Sequence, residues 1–373
     1  MESLRSPHAI LPLLWIGARC RPDAVNRTPG QRPIACNPTG PAAWHDRIVP
    51  EIVPLDVERL AAYVTPTLGA GPLTATLIVG GKSNLTFRIS RGGDSWVLRR
   101  PPLGHVLATA HDVHREFRVL TALAPTGFPV PSPILFCADE TVLGAPFYLM
   151  EDVAGTIFRT AAELAILTPA RGRQLSENLV DNLVRLHAID TASVGLADFG
   201  RPEGFLQRQV RRWTTQFAGS RSRDIPGIDA LIDDLSRNVP VSGPAALVHG
   251  DYKLDNVVVT GGERIVSVLD WEMSTLGDPL TDLGLMLVYW DGDQPNGPGF
   301  LTADDVVDRY AHGCGRDVSR IDWYHAFGYF KLAVIAEGIY FRHQQGLTVG
   351  AGFDDIGAQV FAAVNRAQEI LEG

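Results

Sequence analysis

The chain has 373 residues, of which 45% are hydrophobic and 20% charged, and its formal net charge is −9. That length and composition suffice for two lobes with packed cores. The acidic balance, with no basic run interleaved with aromatics, excludes a nucleic-acid binder, and no apolar run approaches the roughly 20 residues of a membrane span. Residues 1–50 carry prolines from Pro7 to Pro50 with no hydrophobic period, which predicts a poorly ordered extension. Ala9 to Ala18 is apolar but short and broken by Pro12. With Glu2 ahead of it and no clean small-x-small site behind, it argues against an export signal. Cys20, Cys36, Cys137 and Cys314 form no C-x-x-C pair, and no histidine cluster has zinc spacing. A reduced, cytoplasmic setting is the simplest reading.

The folded part is expected to begin near Val53. Leu55, Leu60, Ala61 and Val64 give a helical stripe behind Asp56. Leu73 to Ile78 and Leu85 to Ile89 read as two strands joined by the turn Gly80-Gly81-Lys82-Ser83-Asn84, and Trp96 to Arg100 reads as a third. Strand alternation sends Arg99 and Arg100 to opposite faces, so only one of them can serve a site. Val113, Phe117, Leu120 and Leu123 make Ala110 to Ala124 a helix that carries Glu116. Ile134 to Ala138 and Phe147 to Met150 read as strands, the second running out through Glu151, Asp152 and Val153 to Gly155.

Beyond residue 156 the pattern is helical. Leu175, Leu179, Leu183, Leu186 and His187 share one stripe, with His187 read as a core histidine. Phe205, Gln209, Trp213 and Phe217 share another, and Arg208, Arg211 and Arg212 beside it read as a solvated face, with contact to an anionic substrate such as a CoA phosphate as the alternative. Two short apolar runs, Val257 to Val259 and Ile265 to Leu269, flank a Gly-bearing loop and predict a hairpin. Its outer ends are polar. Asp251 and Asn256 precede the first strand and Asp270 ends the second, so pairing brings Asn256 beside Asp270.

Phosphoryl transfer needs such a set: one carboxylate to accept the proton of an attacking hydroxyl, and an Asn with a second Asp to hold Mg²⁺. Asp-x-x-x-x-Asn followed by a strand-borne Asp is the order found in kinases. Lys253 stands two residues after the base, where it can neutralise charge on the moving phosphate. Asp278 before Pro279 reads as a helix cap, and Asp282 as a brace for the catalytic loop.

His249-Gly250-Asp251-x4-Asn256 with Leu269-Asp270-Trp271-Glu272 resembles the aminoglycoside phosphotransferase and choline kinase family. It is most similar to the subgroup whose kinase-like domain is fused to acyl-CoA dehydrogenases in some animal proteins. The resemblance implies an α+β, bilobal, protein-kinase-like fold. Residues 51–153 would form a small antiparallel-sheet lobe over the nucleotide, and residues 154–373 a mainly helical lobe holding the catalytic loop, the metal and the acceptor. It implies ATP and Mg²⁺ as cofactors, Asp251 and Lys253 as catalytic residues, and Asn256 and Asp270 as metal ligands. Gly81, Lys82, Ser83 and Asn84 would cover the phosphates. Arg99 would grip them, oriented by Glu116, and Met150, Glu151 and Val153 would meet the adenine. Arg99 departs from the family's usual Lys at this place, and a planar guanidinium does not substitute directly for an ammonium.

The gap between Asp270 and Asp278 is too short for a peptide-docking segment, so the expected acceptor is a small-molecule hydroxyl. The subgroup suggests a hydroxy acid or a hydroxyacyl-CoA. An aminoglycoside is the alternative within the class, and a nucleotide-binding pseudokinase or scaffold the alternative outside it, supported by Arg99 alone. Trp290, Asp291, Trp323, Tyr324, Phe327, Tyr329, Glu337, Tyr340 and Arg342 on the late helices are expected to line the acceptor pocket. No residue in the sequence points to a dehydrogenase activity.

Overall fold

The computed structural model describes residues 55–78, 84–103, 112–291, 297–346 and 355–373. The chain opens with helix α1 (Val57–Leu68), capped by the Asp56 side chain. Strands β1 (Thr74–Leu77), β2 (Leu85–Arg91) and β3 (Asp94–Arg100) come next. Helix α2 (Val113–Leu123), strand β4 (Pro133–Cys137), the single turn α3 (Glu140–Leu143) and strand β5 (Phe147–Glu151) complete the first half. The five strands form one antiparallel sheet in the order β1-β2-β3-β5-β4.

Register within this sheet sets the position of Arg99. Thr86 lies opposite Arg99 on one side and Tyr148 on the other. Neighbouring side chains on a strand leave by opposite faces. Arg100 is buried with its guanidinium 5.9 Å from the Phe87 ring, while Arg99 points to Glu116 on α2. Val113, Glu116, Leu120 and Leu123 all fall on the buried face of α2, so an i, i+3, i+4 stripe that is otherwise apolar carries one carboxylate inward.

The second half is mainly helical. It runs through α4 (Ala161–Leu164), α5 (Pro169–His187), α6 (Phe205–Ser220) and α7 (Ile228–Arg237) to strand β6 (Ala246–Val248). The hairpin of β7 (Val257–Thr260) and β8 (Arg264–Val268) comes next, then β9 (Thr275–Gly277), which pairs with β6. Helices α8 (Leu280–Asp291), α9 (Ala303–Cys314), α10 (Ile321–Gln344) and α11 (Ile356–Glu372) finish the chain. Helices α8 and α10 are buried nearly all round, as helices in the middle of a core must be.

The two halves meet where the linker after β5 touches the hairpin. Thr156 and Val259 exchange backbone hydrogen bonds, both at 2.8 Å. Gly155 allows that approach, because a Cβ there would stand 2.5 Å from Val258 Cγ1. Among the described residues no helix is long and apolar enough to cross a membrane.

Candidate active site

Strand β6 delivers His249, Gly250 and Asp251 into the space between the halves, and a 3₁₀ turn over Leu254–Asn256 returns the chain into β7. Gly250 is required on two counts. Its φ is +87°, and a Cβ would meet the Met273 carbonyl oxygen at 2.7 Å. That explains a glycine in the middle of the His-Gly-Asp run. His249 is locked from both sides: Asp251 N–H donates to its Nδ1 at 3.2 Å, and its Nε2 bonds the Leu269 carbonyl at 2.9 Å. These partners fix the tautomer with the proton on Nε2.

Asp282, fully buried on α8, accepts from the backbone N–H of His249 and of Gly250, each at 2.7 Å. His187 Nε2 lies 3.2 Å from the same carboxylate, and His187 Nδ1 lies 2.7 Å from the Tyr310 hydroxyl. Burial pushes the Asp282 carboxyl up, but the His187 contact and the loop amides hold it below the usual carboxylate range. Asp282→Ala strips two buried N–H groups and an imidazole of their partner. At about 1–3 kcal/mol per orphaned group, the expected loss is about 3 kcal/mol or more in urea unfolding, accompanied by a drop in any phosphotransfer rate.

Around Asp251 the contacts are dense. Lys253 Nζ is 3.0 Å from Oδ2, the Tyr289 hydroxyl donates to Oδ1 at 3.1 Å, and Asn256 Nδ2 donates to Oδ2 at 3.1 Å and to the Asp251 carbonyl at 2.8 Å. Burial alone pushes the Asp251 carboxyl up. Lys253 and Lys331 outweigh it and hold the group below the usual range. Asn256 commits its N–H₂ to Asp251, which leaves the side-chain amide oxygen, an acceptor, as the atom able to ligate a cation. The main-chain carbonyl of Asn256 accepts from Leu269 N–H at 2.8 Å, so the two ends of the hairpin lie together as pairing requires.

Asp270 is the one non-glycine residue with positive φ among the described residues, at φ 67° and ψ 63°. Asp tolerates this left-handed conformation better than most residues, at a cost of about 1–2 kcal/mol. The next residue, Trp271, is firmly anchored. It is buried, donates from Nε1 to the Val268 carbonyl at 3.0 Å, and packs on His249 with ring centroids 4.6 Å apart. Arg99 reaches across the cleft from β3, with Nη2 3.3 Å from Asp270 and 3.8 Å from Glu272, and Nη1 3.2 Å from Glu116. Glu116 is held in turn by Asn84 Nδ2 at 2.7 Å and by the Tyr148 hydroxyl at 2.8 Å.

The structure therefore gathers Asp251, Lys253 and Asn256 into one cluster and Asp270, Arg99, Glu116 and Asn84 into a second. Asn84 is buried and commits its amide to Glu116 rather than to open space. Gly81, Lys82 and Ser83 lie outside the described residues. Met150 is buried at the end of β5, Glu151 accepts from Ser132 Oγ at 2.8 Å, and Val153 lies in the linker beyond.

A cavity of about 490 Å³ adjoins the loop after β6 at Gly250, walled by Arg212 and Trp213 from α6 and by Phe327 and Lys331 from α10. This differs from the expected pocket. Among the residues expected to line it, Phe327 does so. Trp290, Trp323 and Tyr324 turn into the core and donate to the Leu301 carbonyl, the Leu235 carbonyl and Asp278. Glu337 is buried against Arg223 and Ser222. Two residues that no motif marks also meet the loop after β6, Tyr289 at Asp251 and Lys331 at Gly250, and of these Lys331 lines the cavity.

A five-stranded antiparallel sheet joined to a helical half, with the His249-Gly250-Asp251 loop between them, is a protein-kinase-like fold. The family model described as the phosphotransferase enzyme family matches residues 74–324, and the chain belongs to that family. Acyl-CoA dehydrogenase family member 11 of Rattus norvegicus is 39% identical over 320 residues, covering 79% of this chain and 41% of that protein. The chain thus spans less than half the length of this curated relative. A solved structure from Ralstonia eutropha that carries the name of an aminoglycoside phosphotransferase is 31% identical, with a TM-score of 0.76 over 86% of this chain and 99% of that one. A thermostable mutant of the aminoglycoside phosphotransferase APH(4)-Ia, solved with AMP-PNP and hygromycin B, has a TM-score of 0.56 at 15% identity, over 84% of this chain and 97% of that one. That last likeness is one of fold.

Proposed function

We propose that the chain transfers the γ-phosphate of ATP to the hydroxyl of a small molecule, with a hydroxy acid or hydroxyacyl-CoA as the acceptor suggested by the acyl-CoA dehydrogenase relatives. The observation that carries this reading is the cluster of Asp251, Lys253 and Asn256 at the end of β6, set at one end of a hairpin whose other end presents Asp270. Asp251 orients the acceptor hydroxyl and takes its proton. Lys253 faces the charge of the transferring group. The sheet half, residues 51–153, covers the nucleotide, and residues 154–373 hold the catalytic loop and the acceptor.

The donor set suits Mg²⁺. Asp270 and the Asn256 amide oxygen are hard oxygen ligands, and two protein ligands leave positions for phosphate oxygens and water. The Asp270 side chain is 35% exposed, so its carboxylate is open to such a partner. When bound, Mg²⁺ neutralises charge on the β- and γ-phosphates. Arg99, aimed by Glu116, adds a guanidinium fork for phosphate oxygens, and Asn84 supports it through Glu116. Gly81, Lys82 and Ser83 remain the proposed phosphate cover, and Met150, Glu151 and Val153 the proposed adenine contact. The relative solved with AMP-PNP is in keeping with a nucleotide in this cleft.

Incubation with ATP and Mg²⁺ and a panel of hydroxy acids, hydroxyacyl-CoAs, choline and aminoglycosides, with ADP release as the readout, tests the reading. Acceptor-dependent ADP is expected. Nucleotide binding with no ADP on any acceptor would replace the kinase with a scaffold. The pH profile gives a second check. Asp251 has a folded pKa below its unfolded value, so its ionised form, and the stability it lends, persist above the usual carboxylate range and are lost only as pH falls through the depressed value. The rate should show no acid limb from Asp251 above about pH 4.

A further inference from the structure

Lys331 is a charged residue on a helix that is otherwise mostly apolar. Its ammonium donates to the Gly250 carbonyl at 2.7 Å and lies 5.6 Å from the Trp213 ring centroid. An ammonium has three protons to give, and among the described residues this is the one hydrogen bond it makes. Arg212 lines the same cavity from α6; it is exposed, with its guanidinium 5.7 Å from the Trp213 ring. Burial pushes the Lys331 pKa down, Asp251 and Asp282 oppose this, and the nearby charges of Lys253 and Arg212 add to it. Two cations from two helices thus border one cavity, at a mutual cost that a bound anion would offset.

The acids around the cavity are already engaged. Asp282 is committed to the catalytic loop and His187. Asp112 caps α2, accepting from Arg115 N–H at 3.1 Å. Glu272 faces Arg99. Arg115 is engaged as well, through the Phe199 and Ser274 carbonyls at 2.9 and 3.2 Å, with its guanidinium 3.9 Å above the Phe199 ring. Of the charged groups lining the cavity, the pair that remains to meet a ligand is Lys331 and Arg212, beside the apolar side chains of Trp213, Phe327 and Ile335.

We propose that this cavity holds the hydroxyl acceptor and that Lys331 and Arg212 grip a carboxylate or phosphate group on it. The inference rests on the phosphotransferase reading and names the acceptor class of that site: an anionic hydroxy compound whose carbon chain lies on Trp213. A polycation would meet two cations here, while the acids lining the cavity already serve the α2 cap, Arg99 and the loop after β6.

The test is direct binding without nucleotide, read by ligand-observed NMR, of 3-hydroxybutyrate, glycerol 3-phosphate, methyl 3-hydroxybutyrate, choline and kanamycin. The two anions should bind, and the neutral ester and the two cations should bind at least about tenfold more weakly, since a charge-assisted bond is lost. The carboxylate and phosphate arms tell which anion the site prefers. Lys331→Met should weaken anion binding about tenfold or more, Lys331→Arg should retain most of it, and Arg212→Gln, at an exposed position that leaves the fold intact, should weaken it severalfold. In the ADP assay Lys331→Met should raise KM for an anionic acceptor more than it lowers kcat, which a merely structural lysine would not do. Cations binding as well as anions, or anion binding unchanged in both Lys331→Met and Arg212→Gln, overturns the proposal. Anion binding that fails in these variants, with no ADP released by any protein, would uphold the anion site and remove the phosphotransferase reading instead.

Discussion

Replacing Asp270 with alanine should abolish acceptor-dependent ADP release, by about a thousandfold or more, and leave the fold standing. On the proposed reading this carboxylate is the one charged ligand for Mg²⁺, and charge stabilisation by a metal is worth several kcal/mol at the transition state, with every 1.4 kcal/mol a factor of ten in rate. The side chain is partly exposed, and its contact is the 3.3 Å approach to Arg99. Arg99 keeps Glu116 in the variant. The fold therefore loses little from the missing carboxylate itself. It does bear the strain of alanine at φ 67°, a conformation that Asp and Asn enter more easily than Ala. Asp270→Asn separates the two effects. Asparagine keeps the backbone preference and the shape while removing the charge, so it should melt close to the native protein and still be nearly inactive. Retention of substantial turnover in both variants, measured at saturating ATP and Mg²⁺, would end the metal-ligand assignment.

The strain at Asp270 is a guide to how far the sequence could be read. The hairpin, the polar groups at its ends and the inward Glu116 come from short-range periods: alternation along a strand, i, i+3, i+4 along a helix, and a glycine-bearing turn. Those periods also separate Arg99 from Arg100, because adjacent residues on β3 must face apart. They do not say that Asp270 is left-handed, since that conformation is imposed by Trp271 locking onto Val268 and His249. Nor do they explain Gly250, whose missing Cβ makes room for Met273 on a loop more than twenty residues later.

Long-range polar contacts were the least legible. Tyr289 reaches Asp251 across 38 positions and Lys331 reaches Gly250 across 81. Both sit on helices buried on nearly every side, where hydrophobic period gives no facing direction. The same ambiguity misdirected the late aromatics. A tryptophan that needs a carbonyl for its indole N–H is as well satisfied in a core as at a pocket, and Trp290 and Trp323 take the core. Arg212 illustrates the opposite case: a residue read as part of a solvated face is indeed exposed, but the face it borders is the wall of the cavity.

Asp251→Asn should lower kcat by about 10²–10⁴, the usual range for loss of a positioned general base, while nucleotide affinity stays near that of the native protein. The asparagine keeps one oxygen for the Tyr289 hydroxyl or for Lys253, so the loop has little reason to move. The change is in charge. Lys253 lies 3.0 Å from the carboxylate, and Asp251 is also among the groups that support the charged form of Lys331. Without it two ammonium groups face each other across a neutral amide. Stability should therefore fall, by less than the 3–5 kcal/mol typical of a fully buried pair, because the Asp251 side chain is 26% exposed. Lys253→Met in the same background should recover part of that loss, since it removes a cation that no longer has its partner, and it should not recover the rate. A melting temperature that rises in the double variant would assign the lost stability to the unpaired Lys253, and a low rate in Asp251→Asn alone, with nucleotide affinity kept, would place Asp251 in the chemistry rather than in the scaffold. Full phosphotransfer by Asp251→Asn would remove it as the base.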